Sequence, residues 1–229
     1  MPPDMRIVKT GAILAMGLFC IQSPSFGTES LAAMGVTGAP REEIQIRRAW
    51  ALERLLANLS VEGTAPGAVV ASPSKRDPNY FYHWVRDSGL VMSALIAEMD
   101  DVRWSASLRT RIETEVRDWL AFEARLQETP NRSGGLGEPR FLVDGRADHS
   151  DWGRPQNDGP ALRALAAIRF AWREIALGRR LEVERRLYRA ELPARTLIKK
   201  DLEFVAHHWR EASVDLWEEV TGDHFFTRM

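Results

Sequence analysis

The chain has 229 residues, with 31 Lys and Arg set against 32 Asp and Glu for a formal net charge of −1 at pH 7. So even a balance leaves no basic surface for nucleic acid, which needs clustered cations against phosphate. Eight Trp are the compositional excess and a single Cys the scarcity, and the length suffices for one domain with a real core.

In chain order, Arg6 and Lys9 precede an apolar run over 12–21 and then Ser25-Phe26-Gly27, a small-x-small pattern. Together they predict a secretory signal peptide over 1–27, with the mature chain at 28–229 and a secreted or periplasmic protein. The run is too short for a permanent membrane span. Cys20 lies inside this signal, so the mature chain does not rest on disulfides.

Beyond a Gly-containing linker at 35–40, apolar residues at Ala49, Leu52, Leu56 and Leu59 repeat at helical spacing and predict a first helix over 42–60. Gly63, Pro66, Gly67 and Pro73 then punctuate a long connection. A second helix follows Asp87 through Leu90, Val91, Ala94, Leu95 and Met99. A third carries Leu108, Ile112, Val116, Trp119 and Leu120 on one stripe. The irregular stretch 131–159 ends at Asp158-Gly159-Pro160, N-cap chemistry followed by a first-turn proline. It opens a fourth helix with an expected buried stripe of Ala161, Leu165, Ile168, Trp172 and Ile175. The charged segment 178–193 reads as a solvated link to a fifth helix, with Ile198, Leu202, Val205 and Trp209 as its stripe. A sixth helix is expected to begin near His224 and Phe225, and no alternation supports a major sheet.

Three unusual loops follow the first, third and fifth of these helices. If successive helices run up and down, all three emerge at one end of an all-α domain, and residues distant in sequence converge. The first loop holds Tyr80-Phe81-Tyr82-His83-Trp84-Val85-Arg86-Asp87. Its rings suit the apolar faces of a sugar, and its Arg-Asp couple offers donors and acceptors to vicinal hydroxyls. A core plug with a structural ion pair is the plainer alternative. In the second loop, Trp152 sits in a polar run where a purely structural role is less expected than for Trp119. Asp215-Leu216-Trp217-Glu218-Glu219 places three carboxylates beside an indole. Crowded charges and desolvation raise carboxyl pKa values, so this stretch is a candidate proton donor, against the plainer reading of a solvated acidic helix start. The five His lack paired ligand spacing, so no metal is expected.

The run 80–90, Gly135-Leu136-Gly137-Glu138-Pro139, the run 152–163 beginning Trp152-Gly153-Arg154-Pro155-Gln156-Asn157-Asp158-Gly159-Pro160, and Asp215-Leu216-Trp217-Glu218-Glu219 resemble the glucoamylases, glycoside hydrolase family 15. The motifs are long and occur in the family's order; Ser213, where the family commonly has Gly or Pro, is one departure. The resemblance implies a partial (α/α)6 barrel, about six of twelve helices. It implies removal of terminal glucose from α-1,4-glucans or maltooligosaccharides with inversion, without a cofactor. Carried over, Glu218 is the general acid, and Asp215 and Glu219 tune it or bind sugar. Arg86 and Asp87 hold the terminal glucose, and Tyr80 lies under the developing oxocarbenium ion. Trp84, Trp152 and Trp217 line the subsites, with Arg154 close by.

An inverting glycosidase needs a second carboxylate about 6.5–9.5 Å from the acid. Asp215, three positions from Glu218, would lie about 5–6 Å away on the same side if this turn is helical. In the family the base comes from the second half of the barrel. The expectation is therefore a chain inactive alone, with an apolar seam facing the missing C-terminal half. Alternatives are a non-catalytic glucan-binding module, or a related inverting enzyme acting on trehalose, dextran or isomaltose.

Overall fold

The computed structural model describes residues 41–225. The expected signal peptide, the 35–40 linker and the continuation of a sixth helix past Phe225 lie outside the described residues. Six helices and four two-residue strands follow in order: α1 (Arg41–Leu56), β1 (His83–Trp84), α2 (Val85–Glu98), α3 (Ala106–Leu126), β2 (Arg140–Phe141), α4 (Asp158–Ala176), α5 (Arg180–Arg186), α6 (Leu197–His208), β3 (Ser213–Val214) and β4 (Thr221–Gly222). None of the described helices is long and apolar enough to cross a membrane. The chain divides into two compact units, Met1–Ala51 and Leu52–Met229, with the boundary inside α1. In the first, Glu42 and Glu43 complement the helix dipole, and Glu43 accepts from Arg47 one turn on at 2.6 Å.

In the second unit the expected stripes of α1 and α3 are buried at Leu52, Leu56, Leu59, Ile112, Val116, Trp119 and Leu120. Ser105 caps α3 by accepting from Leu108 N at 3.2 Å. The α3 stripe continues through Phe122 and Leu126 into a core cluster with Ala68, Val85 and Phe141. This core lies directly beneath a short antiparallel ribbon in which His83 faces Phe141 and Trp84 faces Arg140.

Helix α4 packs against α2 on one flank and α6 on the other, and here the expected face is wrong. The buried residues are Ala164, Ala166, Ala167, Phe170 and Ala171, while Leu165, Ile175 and Trp172, the last 74% exposed, point away. Small side chains let helix backbones approach closely. A Cβ on Gly89 of α2 would lie 2.9 Å from Leu162 C, so the large apolar residues have no room on that side. With Leu90 of α2, Leu202 of α6 and Trp209 at the C-cap of α6 also exposed, the described residues leave apolar side chains uncovered.

Two further expectations change. The link 178–193 contains α5, folded down by Val183 and Leu187, which are buried, while its charges stay in water. The acidic stretch at 215–219 is no helix start but the turn of a hairpin, with Ser213 paired to Gly222 and Val214 to Thr221. The spacing argument for Asp215 and Glu218, which assumed helical geometry, therefore does not apply.

Candidate active site

The three loops meet through their backbones. Val85 N donates to Pro139 O at 2.9 Å, which fixes the start of α2 against the second loop. The second loop binds the third in turn, with Val214 N donating to Pro155 O at 2.9 Å and Asn157 N donating to Ser213 Oγ at 3.0 Å. Ser213, the departure noted in the sequence, is buried at this junction. Gly153 permits the contact, because a Cβ there would meet Val214 Cγ1 at 2.7 Å.

Glu218 stands at the focus. Its Oε1 accepts from Trp84 Nε1 at 3.1 Å, Gln156 Nε2 at 3.0 Å and Arg86 Nη2 at 3.4 Å, so the first and second loops donate to one carboxyl oxygen of the third. Its backbone is left-handed at φ 62°, a conformation that L residues adopt only when their surroundings enforce it. Asp215 does the enforcing: its carbonyl accepts from Glu218 N at 3.0 Å. Its Oδ1 accepts from Glu219 N at 2.8 Å and Val220 N at 3.1 Å. Asp215 thus spends that oxygen on holding the turn. Glu219 is exposed, and Trp217 is 61% exposed.

Arg86 is buried among acids. Its Nη1 donates to Gln156 Oε1 and Asp158 Oδ2, both at 3.0 Å, and its Nε lies 3.9 Å from Asp87 Oδ2. Burial opposes its charge, but Asp158, Asp87 and Glu218 outweigh that and raise its pKa. Asp158 was expected as an N-cap. It makes no cap hydrogen bond, sits inside the first turn of α4 and serves as a ligand of Arg86 instead. Burial pushes the Asp87 carboxyl up; Arg86 opposes this and the Glu218 charge adds to it. Tyr80 is shifted up as well, first by burial and then by Glu218.

An aromatic wall backs this acid centre. Trp84 lies 6.0 Å from Tyr80, 5.7 Å from Tyr82 and 5.9 Å from Trp152 between ring centroids. The Arg140 guanidinium sits over Trp152 at 3.7 Å and over Tyr82 at 4.2 Å and is held by Asp148 Oδ2 at 2.7 Å. Flat cations of this kind stack on aromatic faces, so Arg140 aligns the rings. Arg154, expected near the ligand, spends its donors on its own loop: Glu138 Oε1 at 2.6 Å, Asp148 O at 2.9 Å, and Ser150 O and Trp152 O. It braces Trp152.

Buried polar atoms are normally paired. Asp87 Oδ2, Asp158 Oδ1 and Trp152 Nε1 find no hydrogen-bond partner among the described residues. Two acceptors and a donor beside a wall of aromatic rings suit a polyhydroxylated ligand. Gln156, Asp158 and Arg140 were not assigned site roles from the sequence. Their burial depends on which loop crosses them, and no periodicity reports that.

The family model described as glycosyl hydrolases family 15 matches residues 45–229. Glucoamylase-1 of Arthroderma benhamiae is 40% identical over 187 residues, covering 77% of this chain and 28% of its own length. Glucoamylase P of Amorphotheca resinae is 37% identical over 235 residues, covering 97% of this chain and 35% of its own. Among solved structures, the Hormoconis resinae glucoamylase superposes with a TM-score of 0.70 at 39% identity, covering 81% of this chain and 32% of that one. The chain thus spans about a third of the length of such relatives, and its helices correspond to part of an (α/α)6 barrel.

Proposed function

Because the chain belongs to glycosyl hydrolase family 15, we propose that its loops form the acid side of a glucoamylase-type site that releases β-glucose from non-reducing ends of starch or maltooligosaccharides. The observation that carries this reading is the convergence of Trp84, Arg86 and Gln156 on one oxygen of Glu218. Glu218, when protonated, gives its proton to the glycosidic oxygen as that bond breaks. Arg86 and Asp87 grip the terminal glucose, whose hydroxyls can satisfy the unpartnered Asp87 Oδ2. Tyr80 lies beneath the oxocarbenium-like ring, and Trp84, Trp152 and Trp217 receive the sugar faces. Glu219 binds sugar, Asp215 acts by holding the turn of the acid, and Arg154 by bracing Trp152.

Inversion requires a base on the opposite face of the sugar, and we assign it to a part of the barrel beyond these 229 residues. The uncovered side chains of Leu90, Leu165, Trp172 and Trp209 are where the remaining helices would pack, since exposed apolar patches mark interaction surfaces. This reading makes residues 28–229 part of a longer catalytic domain, inactive alone and exported by the segment 1–27. Purified chain is incubated with maltose and soluble starch, alone and with the remainder of the barrel, and the first glucose anomer is read by NMR. Turnover by the chain alone refutes the missing base, and α-glucose refutes inversion. Tight binding without turnover in the completed barrel favours a glucan-binding module. A preference for trehalose, dextran or isomaltose reassigns the substrate.

A further inference from the structure

Behind the aromatic wall lies a buried polar network that the proposed chemistry does not use. Glu123 of α3 is wholly buried. Its Oε1 accepts from His83 Nε2 at 2.9 Å, Ser88 Oγ at 2.7 Å and Trp119 Nε1 at 2.9 Å, and its Oε2 from Arg163 Nη1 at 2.9 Å. Arg163 of α4 in turn donates to Asp201 of α6 at 2.8 Å. Glu123 is therefore the single acceptor toward which β1, α2, α3 and α4 all point donors.

The state of His83 follows from its neighbours. Its Nδ1 accepts from Val69 N at 3.0 Å, so Nδ1 is unprotonated and the proton sits on Nε2, facing Glu123. A ring held at both nitrogens has neither tautomeric nor rotational freedom. His83 directly precedes Trp84, whose indole reaches Glu218, and Ser88 lies two residues past Arg86, whose guanidinium reaches the same carboxyl. The tether thus grips the chain on both sides of the two site residues.

We infer that Glu123, acting through His83 and Ser88, is a positioning residue that sets where Trp84 and Arg86 meet Glu218. The buried charge is then more than core cohesion. A carboxylate in this place costs desolvation free energy that an apolar residue would not; what it adds is direction, fixing the register of β1 to within hydrogen-bond tolerance. The inference relies on the proposed glucan chemistry only for its effect on turnover.

The test uses the two halves of the imidazole separately. Asn can replace Nδ1 and keep the bond from Val69, whereas Gln can replace Nε2 and keep the bond to Glu123. Indole 15N–1H spectra of the labelled chain, with the Trp84 signal assigned from Trp84→Phe, are compared for His83→Asn, His83→Gln and Glu123→Gln. The Trp84 signal should move in His83→Asn and in Glu123→Gln and stay in place in His83→Gln. Asp201→Asn, which weakens the far end of the network, should lower the melting temperature and leave that signal unmoved. In the completed barrel, His83→Asn should lower kcat on maltose by about tenfold with KM little changed, since a displaced donor acts mainly on the transition state. An unmoved Trp84 signal in folded His83→Asn, or a His83→Gln signal that moves as far, overturns the inference. Should Glu123→Gln not fold, the His83 pair still decides, because it leaves Glu123 and Arg163 intact. Absence of turnover in the unmutated barrel would sink the glucan reading without touching this spectral comparison.

Discussion

Gly153→Ala should misplace the acid turn, and the structure says by how much. The new Cβ would lie 2.7 Å from Val214 Cγ1, 3.3 Å from Glu218 O and 3.5 Å from Val214 Cβ. Carbon atoms sit at about 3.5–4.0 Å, so the hairpin must retreat by nearly 1 Å. Val214 cannot rotate away freely, because it is buried and its N–H is tied to Pro155 O at 2.9 Å. Overpacking of this kind costs about 1–3 kcal/mol. Val214→Ala removes the clashing methyl and by itself costs about 2 kcal/mol for two buried carbons. In Gly153→Ala/Val214→Ala the added methyl occupies part of the space vacated, so the double variant should lose about 1 kcal/mol less than the sum of the singles. Urea midpoints of the four proteins measure this directly. An additive cycle would refute the claim that the second and third loops are locked together through this contact.

Acid should unlock the buried network. Burial alone would raise the Glu123 carboxyl, but the Arg163 guanidinium and the hydrogen bonds donated by His83 and Arg163 outweigh it and hold its pKa below an ordinary 4.5. A carboxyl whose folded pKa is depressed binds fewer protons in the folded state. Its contribution is complete above about pH 4.5 and is lost as pH falls through the folded pKa. The stability difference between the unmutated chain and Glu123→Gln should therefore shrink over that window, and a difference independent of pH would contradict the assignment. Gly67→Ala should destabilise by more than about 3 kcal/mol, because φ is 82° and the Cβ would meet Asp118 O at 2.2 Å; a melting temperature near that of the unmutated chain would show that α3 yields. Trp172→Glu should leave the stability of the chain within about 0.5 kcal/mol and reduce its self-association in sedimentation. A large loss of stability would mean that the exposed indole is already packed.

Much of the candidate site could be read in advance because it is written in contiguous motifs. Trp84, Arg86, Trp152 and Glu218 each sit in a loop of unusual composition, and hydrogen bonds between the loops hold them together. Partners that meet only across space were not legible in the sequence. Asp158 has the chemistry of a cap, yet Arg86 takes its carboxylate. Arg154 looks like a ligand-binding cation, yet Glu138 and three carbonyl oxygens surround it. The α4 stripe failed for a related reason. Periodicity finds an apolar face but does not say which neighbour covers it, and alanines packed against two flanking helices bury as completely as leucine.

The linear order of residues, with its helical periods and its three motif loops, was enough to indicate an all-helical chain and to mark the rings and carboxylates of its loops as site candidates. Helix spacing is a local property, and local properties survive in a string of letters. Tertiary structure alone decided which oxygen of Glu218 receives the three donors, that its backbone is forced to φ 62°, and that a buried glutamate behind the aromatic wall is tied to the residue next to Trp84. Those outcomes depend on distances between segments tens of residues apart, and such distances come into being only when the chain closes on itself.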